Sequence, residues 1–329
     1  MYEKITENIY RIIVRLPNNP LKSLNSFVVT GQRRNLMIDT GFDVQESYED
    51  LCASIGELSL DMDRTDIFLT HFHADHTGLA GRVAGASSEI YLSKTDRPLF
   101  EQVTGDTYEF RKLMHSRLLE AGYPAEEIVD SVDRNPSLAR SSSLQYNTIG
   151  VDDNCVIDLG GISLRTVSTP GHTPGHLCLY IKEEKVLFTG DHILFDITPN
   201  IIEWAEMKDS LGSYLDSLKL TAAMDVRLAL PSHREPGDIY ARINELERHH
   251  EFRLFEVISI LRSCQCQSAY EIASKMTWQI KAVEWSDFPV SQKSFAVGEA
   301  LSHIRHLERK GQIVSSKDGR VVRFSVASL

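Results

Sequence analysis

Long apolar runs are missing from this chain: nowhere do 18 apolar residues follow one another, which removes a membrane-spanning helix. Cysteine is scarce. The five present (Cys52, Cys155, Cys178, Cys264 and Cys266) are odd in number and form no C-x-x-C pair. They read as reduced thiols, and Cys264 with Cys266 as incidental rather than a redox or metal pair. The N-terminal MYEKITENIYRIIVRL has neither the apolar core nor the cleavage site of a signal peptide, so the expected compartment is the cytoplasm. Positive charge is in deficit: 35 Lys and Arg face 46 Asp and Glu, a net charge of −11, which argues against a surface that is basic throughout and grips nucleic acid. There is no internal repeat, no low-complexity tract and no evident Ser-His or Cys-His nucleophile arrangement.

What is present suits a soluble globular protein: 42% hydrophobic and 25% charged residues over 329 positions, enough for about two domains. Short β-rich runs (IYRIIVRL, NSFVVTG, LMIDTG) open the chain, and QESYEDLCASIGEL follows with apolar residues at helical spacing. DIFLT leads into a histidine cluster, TGLAGRVAG reads as one small-residue helix, and EIYLS as a strand. Asp96, before Arg97 and Pro98, reads as an N-cap opening a polar, helical insertion of about 97–150 with Ser-rich breaks. VIDLGGISLRTVS, LCLYIK and KVLFTGD then resume the strands, a helix is expected over Met207–Lys219, and RLALPSH is a last short strand. The division is expected near residue 250, with residues 1–250 catalytic at a net −14 and residues 251–329 a tail at +3. Three helical patterns and two alternating runs around Lys317-Asp318-Gly319 make that tail winged-helix-like, a small α+β domain.

Of twelve histidines, three fall in His71-Phe72-His73-Ala74-Asp75-His76. On an extended segment residues i and i+2 share a face, so His71 and His73 can converge on one ion, while Asp75 and His76 follow the turn and can address a neighbouring one. Imidazoles with carboxylates are the donor set of Zn²⁺ and similar borderline metals. His172 in Thr169-Pro-Gly-His-Thr-Pro-Gly-His176, Asp191 after LFTG and His233 after LALPS each stand where a strand gives way to a loop.

The H-x-H-x-D-H run, with Asp39-Thr40-Gly41, TPGHTPGH, LFTGD and the late strand-end histidine in order, resembles the metallo-β-lactamase superfamily over roughly residues 5–240. The branch it is most similar to holds glyoxalase II and the homoserine-lactone lactonases, and the tail resembles the winged-helix extension of some of these hydrolases. The resemblance implies an α+β fold, an αββα sandwich with a site at one edge of the sheets. It implies two divalent ions, zinc first with iron or manganese as alternatives. His71, His73 and His172 would hold one, Asp75, His76 and His233 the other, with Asp191 bridging. Asp75 and Asp191 are the implied catalytic carboxylates. Asp39 is expected to orient a ligand imidazole, His176 to brace its loop, and His192 to support the site or touch substrate.

The expected reaction is hydrolysis of a small thioester, lactone or related ester by a metal-bridging hydroxide. The insertion is expected to cap the site, with Tyr108, Phe110, His115, Tyr123 and Tyr146 as candidate pocket residues. Two alternatives stand beside it. One is a phosphodiesterase or nuclease whose tail contacts nucleic acid through Arg305, Arg309, Lys310 and Arg320. The other is a mononuclear iron persulfide dioxygenase needing only His71, His73 and His172. No membrane partner is expected, and a homodimer is compatible with the tail packing on a second subunit.

Overall fold

The computed structural model describes residues 2–133, 146–278 and 284–327; the Ser-rich stretch of the insertion lies outside them. Two sheets face each other with helices outside both. The first runs β1 (Tyr2–Lys4), β2 (Ile9–Arg15), β3 (Ser23–Thr30) and β4 (Asn35–Ile38) as antiparallel neighbours. It continues in parallel through β5 (Thr65–Phe68), β6 (Ile90–Ser93) and β7 (Ile149–Val151). The second contains β8 (Val156–Asp158), β9 (Ser163–Ser168), β10 (Leu177–Ile181) and β11 (Val186–Gly190), all antiparallel, with β12 (Leu228–Pro231) parallel to β11 at its edge.

The layering follows from period-two patterning. Leu36 and Ile38 on β4 meet Leu179, Ile181 and Phe188 between the sheets, while Met37 points outward. On the second sheet Leu177 and Val186 face inward, and Cys178 and Leu187 face the outer helices. Each fully buried aliphatic or Phe side chain here contributes roughly 1.5–3 kcal/mol by leaving water. Outside the first sheet lies α1 (Gln45–Glu57), anchored by Leu51. The single small-residue helix expected after the histidine cluster is two short ones, α2 (Ala74–Thr77) and α3 (Ala80–Val83). At the junction, a Cβ on Gly78 would stand 2.5 Å from Asp43 N and 2.7 Å from Gly41 O, so only glycine lets these two loops touch.

The insertion contains α4 (Arg97–Thr104), α5 (Tyr108–Glu120) and α6 (Ala125–Asp133). Outside the second sheet lie α7 (Ser210–Ala222) and α8 (Ile239–Ser263). The start of α7 three residues later than expected has a local cause: Asp209 caps it by accepting from Gly212 N. The tail adds α9 (Ala269–Ala273), closed by a Ser268–Glu271 capping box, and α10 (Val290–Arg309). Its three-stranded sheet pairs β13 (Gln267–Ser268) with β15 (Val321–Val326), and β15 with β14 (Ile313–Asp318).

Residue 250 lies inside α8. Ile239, Ile243 and Leu246 pack with the second sheet's outer cluster, whereas Val257 and Leu261 belong to the tail's core. The insertion also divides. Leu99, Phe100 and Val103 join the core outside the first sheet, and Ala121, Tyr123, Ile128 and Val132 join the tail's. Among the described residues no helix is long and apolar enough to cross a membrane.

Candidate metal centre

Seven donors converge where strands end. After β5 the chain bends through residues 70–72 rather than staying extended, and His71 Nε2 comes within 3.0 Å of His73 Nδ1. His172, in the loop after β9, brings its Nε2 to 3.0 Å from the same His73 nitrogen. On the other side, His233 Nε2 after β12 lies 3.4 Å from Asp75 Oδ2, and His76 Nε2 lies 3.8 Å from it. Asp191, just past β11, stands between the two groups. Its Oδ2 is 3.6 Å from His172 Nε2 and 3.7 Å from His76 Nε2, and its Oδ1 is 3.5 Å from His233 Nε2. Its position depends on Gly190, whose φ is +52° and where a Cβ would come 2.5 Å from His176 Nε2.

The outer nitrogens fix which atoms face inward. His76 Nδ1 donates to Asp39 Oδ2 at 2.7 Å, His172 Nδ1 to the Asn200 carbonyl at 2.9 Å, and His233 Nδ1 to the Ser23 carbonyl at 2.8 Å. Carboxylates and carbonyls only accept, so each ring's Nδ1 carries a proton. Thr70 Oγ1 donates to Asp39 Oδ2 and in turn faces His71 Nδ1 at 3.0 Å, which gives His71 the same orientation. The inward Nε2 atoms of His76 and His233, with Asp191 Oδ1, are buried without a hydrogen-bond partner. Buried polar atoms left without partners are costly, and a shared cation satisfies all three at once. These residues fit a metal.

The charge environment agrees. Burial, with His76 and His73 nearby, holds His71 well below the ordinary imidazole range, and burial with His172 takes His73 to about 3. Burial likewise lowers His172. Those three therefore present lone pairs. Burial opposes a charge on His76, but Asp39, Asp75 and Asp191 overcome it and raise His76 well above its usual range. Burial also raises the Asp75 carboxyl, yet His76 and His233 win and leave it at about 2. This half of the cluster calls for a cation. His73, Asp75, His172 and Asp191 keep slight exposure while His71, His76 and His233 have none, so the cluster opens on the former side.

The remaining expected residues fall in different places. Asp39 touches His76, Thr70 and Ser232, bonding the Ser232 hydroxyl at 3.2 Å. His176 is held by Thr169 Oγ1 at 2.8 Å and accepts from the Asp191 N–H at 3.1 Å. His192 is fully buried and meets Thr221 Oγ1 at 3.0 Å on α7. Tyr108 and His115 are exposed on α5, and Phe110 packs at the edge of the core outside the first sheet. Tyr123 is not a pocket residue, since it is buried in the tail's core with its hydroxyl donating to the Val290 carbonyl. Tyr146 donates to the Thr77 carbonyl at 2.7 Å beside α2. Arg305 is paired with Glu308 at 2.6 Å and Glu203 at 3.6 Å, while Arg309, Lys310 and Arg320 are exposed.

Sequence reasoning missed Asp96 and Trp204. Asp96 occupies an N-cap position, but its carboxylate does not cap the helix. It accepts from Phe72 N at 3.3 Å, Thr173 Oγ1 at 2.6 Å and Gly175 N at 2.6 Å, tying the two histidine loops together. Burial raises it to about 6. Trp204 donates from Nε1 to the His172 carbonyl at 3.0 Å, with its ring edge-on to Phe72. The signal for Asp96 was faint: a buried acid between a strand and a Pro-led helix reads as a cap until its partners are seen.

Known proteins match this arrangement. The chain is similar to the lactamase-like protein nscB of Neosartorya fischeri, 27% identical over 263 residues that cover 76% of this chain and 62% of that protein. It is also similar to the atrochrysone carboxyl ACP thioesterase of Emericella nidulans, 26% identical over 233 residues covering 71% and 57% of the two chains. The chain thus spans about three-fifths of the length of these relatives. Among solved structures, a metallo-beta-lactamase family protein from Thermus thermophilus superposes with a TM-score of 0.82 at 25% identity, covering 98% of this chain and 100% of that one. A beta-lactamase domain protein from Burkholderia ambifaria gives 0.79 at 22% identity, covering 99% and 95%, and shows the shared fold. With the family's sequence profile matching residues 20–233, the stretch that carries all seven donors, the chain belongs to the metallo-beta-lactamase superfamily.

Proposed function

We propose that this chain is a metal-dependent hydrolase of a thioester or closely related ester. The carrying observation is the convergence of unpartnered, buried His76 Nε2, His233 Nε2 and Asp191 Oδ1 beside the His71, His73 and His172 nitrogens. His71, His73 and His172 would hold one divalent ion, Asp75, His76 and His233 a second, and Asp191 both; zinc suits the set. Such ions, when bound, supply Lewis acidity toward a carbonyl oxygen and a water acidified to near neutrality. The chain's own residues do the rest. Asp39, Asn200 and Ser23 fix the imidazole tautomers, and His176 holds the Asp191 backbone. Asp75, held ionised at the open side by His76 and His233, is placed to accept a hydrogen bond there.

Thioester chemistry is supported by relatives named as ACP thioesterases, including those of Emericella nidulans and Aspergillus aculeatus. We read the tail as winged-helix-like, and the engagement of Arg305 by two glutamates favours a packing role over a nucleic-acid one. The test is turnover of metal-replete protein on one panel of acyl thioesters, lactones, phosphodiesters and β-lactams, with metal content measured beside it. Thioester cleavage with two ions per chain supports the proposal. Activity confined to phosphodiesters, or a single iron, overturns it.

A further inference from the structure

His172 is held differently from the other inward-facing imidazoles. His71, His76 and His233 take their outer hydrogen bonds from Thr70, Asp39 and Ser23, all on or beside strands of the first sheet. His172 takes both of its bonds from a stretch without regular structure. Its Nδ1 donates to the Asn200 carbonyl, and its own carbonyl accepts from Trp204 Nε1. Part of this stretch is held by the catalytic region: Trp204 is buried beside Phe72 with its backbone N–H donating to Ser210 Oγ at 3.0 Å, and Ile201 is buried in the second sheet's outer cluster. A loop's backbone also takes its shape from whatever else it bonds and packs against.

It also packs against the tail. Ser302 Oγ on α10 donates to the Ile201 carbonyl at 2.6 Å. Gly298, one turn earlier, faces Ile202 so closely that a Cβ would stand 2.9 Å from Ile202 Cγ2 and 3.3 Å from its Cβ. Arg305 lies 3.6 Å from Glu203, and His306 Nδ1 lies 2.9 Å from Asp209 Oδ2 at the loop's end. Glycine in a helix interior is otherwise unfavourable relative to alanine, and the close approach of Ile202 accounts for it here.

We infer that α10 of the C-terminal tail sets the position of His172 through residues 200–204, with Gly298 and Ser302 as positioning residues for one metal ion. The inference rests on the metal centre proposed above. Partners that orient a ligand imidazole typically change metal affinity by 10–100-fold when lost.

The experiment uses the full chain and titrates zinc against a chromophoric chelator, alongside thermal unfolding. Gly298→Ala is informative because helix propensity and the loop contact pull in opposite directions. With the coupling, one ion binds about tenfold or more weakly while the other is unchanged and the melting temperature holds or rises. Ser302→Ala weakens the same ion, and Ser302→Thr, which keeps the hydroxyl, restores it. Phe255→Ala, exposed on α8, leaves both ions as they are. Wild-type affinity for both ions in Gly298→Ala and Ser302→Ala overturns the inference while leaving the metal centre standing. A wild-type chain that takes up no zinc overturns the metal centre and the inference together. Should Gly298→Ala fail to fold, the Ser302 pair decides.

Discussion

His76 and His172 approach the same Asp191 oxygen at nearly equal distance, yet they are anchored in different parts of the molecule. His76 leans on Asp39 at the end of β4, a residue that also bonds Thr70 and Ser232 and sits at φ +58°. That is a rigid anchor, fixed by strand pairing and full burial. His172 leans on Asn200 and Trp204, a loop resting on α10. One side of the cluster inherits its geometry from the sandwich, and the other borrows it from the tail. Charge is uneven too, with Asp39, Asp75 and Asp191 raising His76 while neighbouring imidazoles lower His71. The two metal positions should therefore respond differently to damage.

Removing what both sides share should have the largest effect. Asp191→Ala is expected to lose both ions, together with turnover, as read by metal analysis after dialysis; retention of one ion would show that Asp191 serves a single position. Asp39→Asn comes next, because the amide replaces the acceptor for His76 and disturbs Thr70 beneath His71. Zinc affinity should fall by about 10–100-fold at the position His76 serves, with a smaller loss at the other. Trp204→Phe keeps an aromatic side chain and removes the indole N–H that donates to the His172 carbonyl, together with the ring that carries it. It should weaken one ion by about tenfold and spare the other, and equal weakening of both would erase the contrast drawn above.

Asp96 gives the effect tied to pH, read in stability rather than in metal affinity. Its carboxyl stands at about 6 in the folded chain against an ordinary value of 3.8, so between those values the native state holds the proton more firmly than the unfolded one. Stability from this group is complete below the lower value and is lost as pH rises through the upper, by about 3 kcal/mol in all. The difference in unfolding free energy between wild type and Asp96→Asn should fall across pH 4 to 6 and level off above it. A difference that stays flat over that window would show that the two histidine loops are not held by a titrating carboxylate.

Much of the centre was legible because its grammar is local. His71 and His73 are two apart just past a strand, Asp75 and His76 open the next helix, and Asp191 and His233 each follow a strand whose apolar run is plain. Asp96 was misread for the opposite reason. Its position before Arg97 and Pro98 is that of a cap, and its real partners lie 24 to 79 residues away. Asn200 and Ile201 act through backbone carbonyls, which look alike at every position of a sequence. The insertion and the tail read as separate because their patterns differ, although Tyr123, Ile128, Val257 and Ile304 share one core.

The histidine spacing determined a cluster of metal-type donors and the strand patterning a β-rich chain, while the αββα sandwich came from the resemblance those motifs carry. Tertiary structure alone decided what holds that cluster in place. Donor identity and strand alternation are properties of neighbouring residues, written at periods of two to four. The aim of an imidazole is set by whichever group reaches its other nitrogen, and for His172 that group is held by a helix a hundred residues further along the chain.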